Sequence, residues 1–448
     1  MANYPTNSLL GFRFLSCSFL GILLLTTMAQ SQSAENIAEI WERKRLVNTM
    51  PSNLRHSILL KYLEELKAKG VRMQKVGESA FGRSINQIEW GKGPIKVFLW
   101  SQMHGDEPTA TAALLDLFNI LQLNAQEAWV KQISERLTIR AVPMLNPDGA
   151  ELFVRRSSQG IDINRDALNL ATPEARLLKS LRDEWQPEIG FNLHNQHHLT
   201  TVGNTIRQAA ISFLVVFGDE KKTLNDGLLR NKYLAAGMIE SLEPFIRGHI
   251  AKYDDEFTAT AFGDNFSKWG TPVILIETGA LAGKDESFLV KMNVIAIVRA
   301  FSLLANEEWK SLNPAKYDEL PENSSGKLLD VVFRNVSVID PFRIGETKTV
   351  DIGIIRERRR AELTQLTSIR RIGDLRQITG LEEYNAAEFY FVGRFQPPAV
   401  GAVGEFLIYK KNREVNWTSQ NLEDEFPPDA IYSTGKWVKG ENLVPRLK

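Results

Sequence analysis

Residues 97–123, VFLWSQMHGDEPTATAALLDLFNILQL, decide the reading of the fold. Val97 to Trp100 form an apolar run of strand length without polar alternation, so both of its faces are expected to be covered. Thr109 to Leu123 follow with apolar residues at helical spacing. Between strand and helix stand His104 and Glu107, three residues apart. A buried strand feeding a helix is the unit of an α/β layered domain.

The same alternation extends outward from this stretch. Apolar runs of strand length recur at Leu137 to Leu145, Ile189 to Leu193, Ile211 to Phe217 and Val273 to Ile276, and Ser287 to Leu304 reads as a closing helix. The first of these runs is expected to end in a turn, Asn146-Pro147-Asp148-Gly149. Upstream, residues 36–69 read as helical, with Leu59, Leu60, Leu63 and Leu66 at helix spacing and Gly70 as the stop. Residues 313–326 (NPAKYDELPENSSG) concentrate Pro, Asn, Ser and Gly and read as a linker. Beyond it, VVFRNVSVI, TKTVDIGII and AEFYFVGRF are β-branched and aromatic. The expected organisation is an α/β domain over 34–312, the linker, and a smaller β-rich domain over 327–448. The run Arg356 to Arg360, interrupted by Glu357, reads as a solvated strand face or turn.

Composition narrows the function. The chain has 448 residues, with 54 Lys and Arg against 54 Asp and Glu, 43% hydrophobic and 24% charged. That is globular, and it excludes a disordered or collagenous chain. Neutral charge removes the electrostatic case for nucleic-acid binding, so small or peptide ligands are expected. After Arg13, an apolar run from Phe14 to Ala29 is followed by Gln30 to Ala34, the layout of a signal peptide over residues 1–33. The mature protein is therefore expected to be secreted or periplasmic, without stable membrane association. Cys17, the only cysteine, lies within that run, so the mature chain would carry no disulfide and no thiolate ligand. Any metal must be held by His and carboxylates.

Histidines occur at 56, 104, 194, 197, 198 and 249. His104 and His194 both follow strands, and in an α/β sheet such positions open on a common crevice. Two histidines and Glu107, with one coordination position open, make a catalytic zinc set. Glu277, directly after the apolar run Val273 to Ile276, is a carboxylate that needs a partner or a function. His56 and His249 lack strand-end context and read as structural or exposed, and His197 and His198 as solvent-facing or pocket-lining.

Taken in order, several pieces resemble the zinc metallocarboxypeptidases, the carboxypeptidase A-like enzymes. They are Gly77 to Ile85 (GESAFGRSI), His104-Gly105-Asp106-Glu107, Asn146 to Gly149, Arg155, Gly160 to Arg165 (GIDINR), His194 and Glu277 in LIETG, together spanning about residues 71–304. The resemblance implies a mixed central sheet flanked by helices. It implies one zinc ion on His104, Glu107 and His194, and Glu277 as the general base. It also implies Arg155 as the group polarising the scissile carbonyl, with Arg156 as the competing candidate. Asn164 and Arg165 would hold a substrate carboxylate, and Asp162 would orient a zinc-bound histidine, His104. The family's pocket tyrosine has Tyr253 as its candidate, although the residues between Tyr253 and Glu277 depart from the family pattern. The implied substrate is a peptide with a free C-terminus. Two alternatives stay open: a deacylase of N-acyl amino acids using the same zinc set, and a non-catalytic binding module.

Overall fold

The structure, a computed structural model, describes Met1, residues 32–341 and residues 347–448. The apolar run of the expected signal peptide, Cys17 included, lies outside the described residues.

The central sheet forms around middle strands that are buried on both faces. Its strands, with one short outlying pairing partner, are β1 (Arg72–Glu78), β2 (Ser84–Gly91), β3 (Ile95–Ser101), β4 (Leu137–Val142), β5 (Ile189–Asn195), β6 (Thr201–Val202), β7 (Ile211–Val216), β8 (Ile250–Lys252) and β9 (Val273–Thr278). Eight of them assemble in the order β1-β2-β4-β3-β5-β9-β7-β8, while β6 pairs separately with Asn323–Ser324. The β3, β4, β5 and β9 pairings are parallel and those of β1, β2 and β7 with β9 antiparallel, so the sheet is mixed. Val97 and Leu99 of β3 face a core with Leu114, Phe118 and Ile295 from the helices Thr109–Leu123 and Glu286–Asn306. Phe98 and Trp100 face the opposite core, with Leu178, Phe262 and Phe266. Glu286–Asn306 is long and apolar enough to cross a membrane, yet most of it is buried against this sheet.

Three local expectations change. Residues 36–69 are two helices, Ala34–Lys44 and His56–Ala68, because Pro51 starts a short 3-10 turn between them and Ser33 caps the first. Leu60 lies on the exposed side of the second. The strand β4 stops at Val142, where Pro143 supplies no N–H to the ladder. Residues 146–149 start a helix, Pro147–Leu152, rather than a turn: Asn146 Oδ1 accepts from Gly149 N at 2.8 Å and Pro147 occupies the first helical position.

The chain from 328 onward forms a second sheet. Leu328–Val338 pairs antiparallel with Lys348–Arg356 and parallel with Thr379–Asn385 and Phe389–Gly393. Phe333 sits at its aromatic core, with the rings of Phe391 and Tyr432 centred 5.1 and 5.2 Å away. Between the two sheets, residues 313–326 carry a short helix whose Tyr317 is buried, its hydroxyl accepting from Val215 N at 2.9 Å.

The arginine run is where the expectation of a solvated face fails. Arg360 is 4% exposed and donates to the carbonyls of Ala150, Glu151 and Ser52, joining the second sheet to the first unit. Arg356 pairs with Glu382 at 2.7 Å. Burial is tolerable because the carbonyls of Glu151 and Ser52, at a helix end and a turn, take no backbone donor among the described residues and need this one. Replacing Arg360 with Ala should therefore lower the unfolding free energy by about 2–4 kcal/mol, through the Glu151 and Ser52 acceptors left dry. Arg359→Ala, at a partly exposed guanidinium, should change it by less than about 0.5 kcal/mol. Urea unfolding of both variants checks this, and equal small losses would show that the Arg360 contact is not structural.

Candidate metal centre and cleft

His104 leaves the end of β3 through Gln102, a buried residue with φ of 51°. Gln102 is held there by its side chain, which donates to Gly105 O and accepts from Thr111 Oγ1. Gly105 is required by the close approach of the Pro147–Leu152 helix: a Cβ would fall 2.0 Å from the carbonyl carbon of Gly149. Asp148 of that helix accepts from Ser79 Oγ, Arg83 Nη1, Phe81 N and Ser158 Oγ, so residues 79–83 and 148 lock together. Several of the pieces that resembled a family are thus one packed cluster.

Within it the metal-type side chains converge. Glu107 lies between the two imidazoles, Oε1 2.8 Å from His104 Nδ1 and Oε2 2.8 Å from His194 Nδ1. Oε2 also accepts from Asn195 N. All three side chains are buried, and their donor atoms lie within 4.8 Å of one another. Glu277 is the register partner of His194 on the adjacent parallel strand, since β5 and β9 pair His194 with Glu277. Asp162 Oδ1 meets His104 Nε2 at 3.1 Å, and Asp162 Oδ2 accepts from Arg155 Nε at 3.0 Å.

Charge in this group is strongly redistributed. Burial disfavours the His104 imidazolium, but the Glu107 and Asp162 carboxylates outweigh it and raise His104 to about 9. Burial opposes a charged Glu107, yet the two imidazoles beside it hold its carboxyl well below the usual range. Burial, then the Glu107 charge, pushes Glu277 well above it. Burial pulls His194 down. Without a metal, one imidazolium proton offsets Glu107. A divalent cation fits the same place, because two imidazole nitrogens and a carboxylate are already aimed at one point and Asp162 orients one of the rings from behind.

A cavity of about 350 Å³ opens beside this group and contains Arg155, Asn164, Arg165, Tyr253 and Glu277 among its lining residues. The structure brings together every residue that the family resemblance selected. Arg155 Nη1 lies 3.1 Å from His104 Nδ1, whereas Arg156 turns away to Gly160 O. Asn164 Oδ1 accepts from Phe262 N, and Arg165 is exposed at the rim. The Tyr253 hydroxyl is made a weaker acid first by the Glu277 charge and then by burial. His197 lines the cleft, stacked 4.6 Å from His198, which bonds Asp330 of the second sheet at 3.0 Å. His56 and His249 bond the carbonyls of Ser84 and Gln208, away from the cleft.

Asn192 and Asp264 were not singled out in the sequence, yet both line the cavity. Asn192 Oδ1 is buried without a partner among the described residues, and burial raises Asp264 to about 6. The available signal was an Asn inside the apolar run of β5, two residues before His194.

Residues 58–215 match the family model of the zinc carboxypeptidases. The match takes in His104, Glu107, Arg155, Asn164, Arg165 and His194, and ends before Tyr253 and Glu277. Carboxypeptidase 2 of Trichophyton rubrum is 33% identical over 100 residues, 22% of this chain and 18% of that protein. Carboxypeptidase SOL1 of Arabidopsis thaliana is 30% identical over 137 residues, 27% of each. The chain thus matches about a fifth to a quarter of the length of these relatives. A metallo-carboxypeptidase from Pseudomonas aeruginosa, solved in complex with (2-guanidinoethylmercapto)succinic acid, aligns with a TM-score of 0.45 at 16% identity, covering 56% of this chain and 69% of that one.

Zinc added to chelator-treated protein should raise its melting temperature, since binding to the folded state alone stabilises it. At a free concentration 100 times Kd the gain is about 2.7 kcal/mol. Differential scanning fluorimetry should show that rise disappear in His194→Ala, and a full zinc-dependent shift in that variant would remove His194 from the ligand set.

Proposed function

We propose that the chain is a secreted, zinc-dependent carboxypeptidase that hydrolyses the last peptide bond of substrates with a free C-terminus. The observation that carries the reading is Glu277, buried and in register with His194 across two parallel strands, in the cleft that also contains Asn164 and Arg165. A zinc ion bound by His104, Glu107 and His194 would lower the pKa of a bound water to about 7.

The chain's own groups divide the remaining work. Glu277 takes the water's proton and gives it to the departing amine, and its raised proton affinity suits that shuttle. Asp162 fixes the His104 ring and holds Arg155, whose guanidinium faces the scissile carbonyl and steadies the developing oxyanion. Arg165 takes the terminal carboxylate by a two-pronged hydrogen bond, with Asn164 beside it. Tyr253, near Glu277, covers the substrate. The apolar run of residues 14–29 supports secretion. Residues 34–312 form the catalytic unit in this reading, and residues 327–448 pack against it.

Glu277→Gln should retain zinc while kcat falls by about 10³-fold, because an amide cannot carry the proton. Metal analysis alongside peptide kinetics measures both, and a near-normal kcat would move the base elsewhere. Wild type should favour a free-acid peptide over its C-terminal amide by about 10²-fold in kcat/KM, and Arg165→Ala should lose most of that margin through the acid alone. Equal cleavage of acid and amide would refute the exopeptidase. Hydrolysis of acetyl-amino acids with no cleavage of longer peptides would identify a deacylase instead.

A further inference from the structure

One corner of the cleft is left unused by the chemistry proposed above. Asn164 ties it to the carboxylate anchor, since Asn164 Oδ1 accepts from Phe262 N, the first residue of the short helix Phe262–Lys268. The next residue, Gly263, leaves room there. A Cβ on it would stand 3.4 Å from Asn192 Nδ2 and 3.6 Å from Val216 Cγ1, so the helix, β5 and β7 meet at this corner. Leu214, Val216 and Leu275 supply apolar walls to the cavity, and Asn192 and Asp264 bring polar groups to it.

Both polar groups have unused bonding capacity. Asn192 is 1% exposed and its Oδ1 has no partner among the described residues. Half a turn of the amide would present that oxygen to the cavity. Asp264 Oδ1 accepts from Thr258 N at 2.9 Å, and the cation that acts on this carboxylate is Arg165. A substrate carboxylate resting on Arg165 neutralises that cation. The remaining charge in the lining has the same sign as Asp264. Asp254 and Glu256 stand in the cleft, while the nearby Lys222 and Lys252 are held by Asp255 and Glu322. Arg155 is held by Asp162 and Glu107. With a peptide anchored, the uncompensated charge at this end of the cleft is negative.

We propose that this corner receives the side chain of the residue to be released and selects lysine or arginine, with Asp264 as the ionic partner and Asn192 as a second acceptor. The inference rests on the carboxypeptidase reading and deepens it by naming the substrate class. Apolar walls suit the methylene stem of such a side chain, and the two acceptors suit its charged head. An apolar residue would leave Asp264 and Asn192 desolvated and unpaired, and an acidic one would meet a like charge.

The test uses full-length zinc-loaded protein and three free-acid peptides that differ only in the last residue: lysine, norleucine, which is its alkyl chain without the ammonium, or glutamate. Wild type should cleave the lysine peptide about 20-fold better than the norleucine peptide in kcat/KM, as suits a hydrogen bond to a charged group, and the glutamate peptide worst. Asp264→Asn keeps an oxygen for Thr258 N and removes the charge, so the ratio of lysine to norleucine should fall towards unity. If that variant slows both peptides alike and keeps the ratio, Asp264 is structural and the proposal is overturned. Should the variant not fold, the wild-type order decides: cleavage of norleucine as fast as lysine overturns the pocket and leaves the carboxypeptidase standing. No cleavage of any of the three would sink the carboxypeptidase reading, and the pocket with it.

Discussion

A carboxylate buried between two buried imidazoles is the constraint around which the first unit is arranged. Isolated, a dry Glu107 would cost several kcal/mol, and it persists because His104, His194 and Asn195 N surround it. Each of these comes from a fixed element: His104 from the end of β3, His194 and Asn195 from the end of β5. The adjacent parallel pairing of β3 and β5 sets the spacing between them. Loss of that register would leave three buried polar groups without partners, so sheet topology and site chemistry support each other.

The same electrostatic field divides the two glutamates into different roles. Glu107 is held ionised by the imidazoles at its side, whereas Glu277, one strand further on, feels the Glu107 charge and has no bonded partner among the described residues to compensate its burial. Two carboxylates in one dry space cannot both be easily charged. In the function proposed above, a proton-carrying group and a metal-holding group arise from like residues by placement alone.

The second sheet is bound into this arrangement by polar contacts. Arg360 donates to carbonyls around the Pro147–Leu152 helix, whose Gly149 lies against Gly105 beside His104, and Asp330 holds His198. Both contacts reach elements next to the cleft, so the orientation of the second sheet is coupled to the site's surroundings. Residues 313–326 reinforce it through Tyr317 and the short pairing of Asn323 and Ser324 with β6.

Much of this was readable in one dimension. Strands buried on both faces must be apolar throughout, and the isolated polar residues at their ends, His104, His194 and Glu277, then stand out as groups with a task. The helix Thr109–Leu123 was legible for the same reason, its period being set by local geometry. Residues 146–149 were misread as a turn because Asn, Pro, Asp and Gly serve turns and helix starts alike, and only the Asn146 cap separates them. The Arg356 to Arg360 run was misread because a charged run is solvated unless carbonyls elsewhere in the chain need donors. Sequence determined the layered sheet and the donor types, since periodicity and side-chain chemistry are local properties. Tertiary structure alone decided that His194 faces Glu277, that Asn192 and Asp264 enter the cleft and that Arg360 is buried, because register and burial depend on which distant segments pack together.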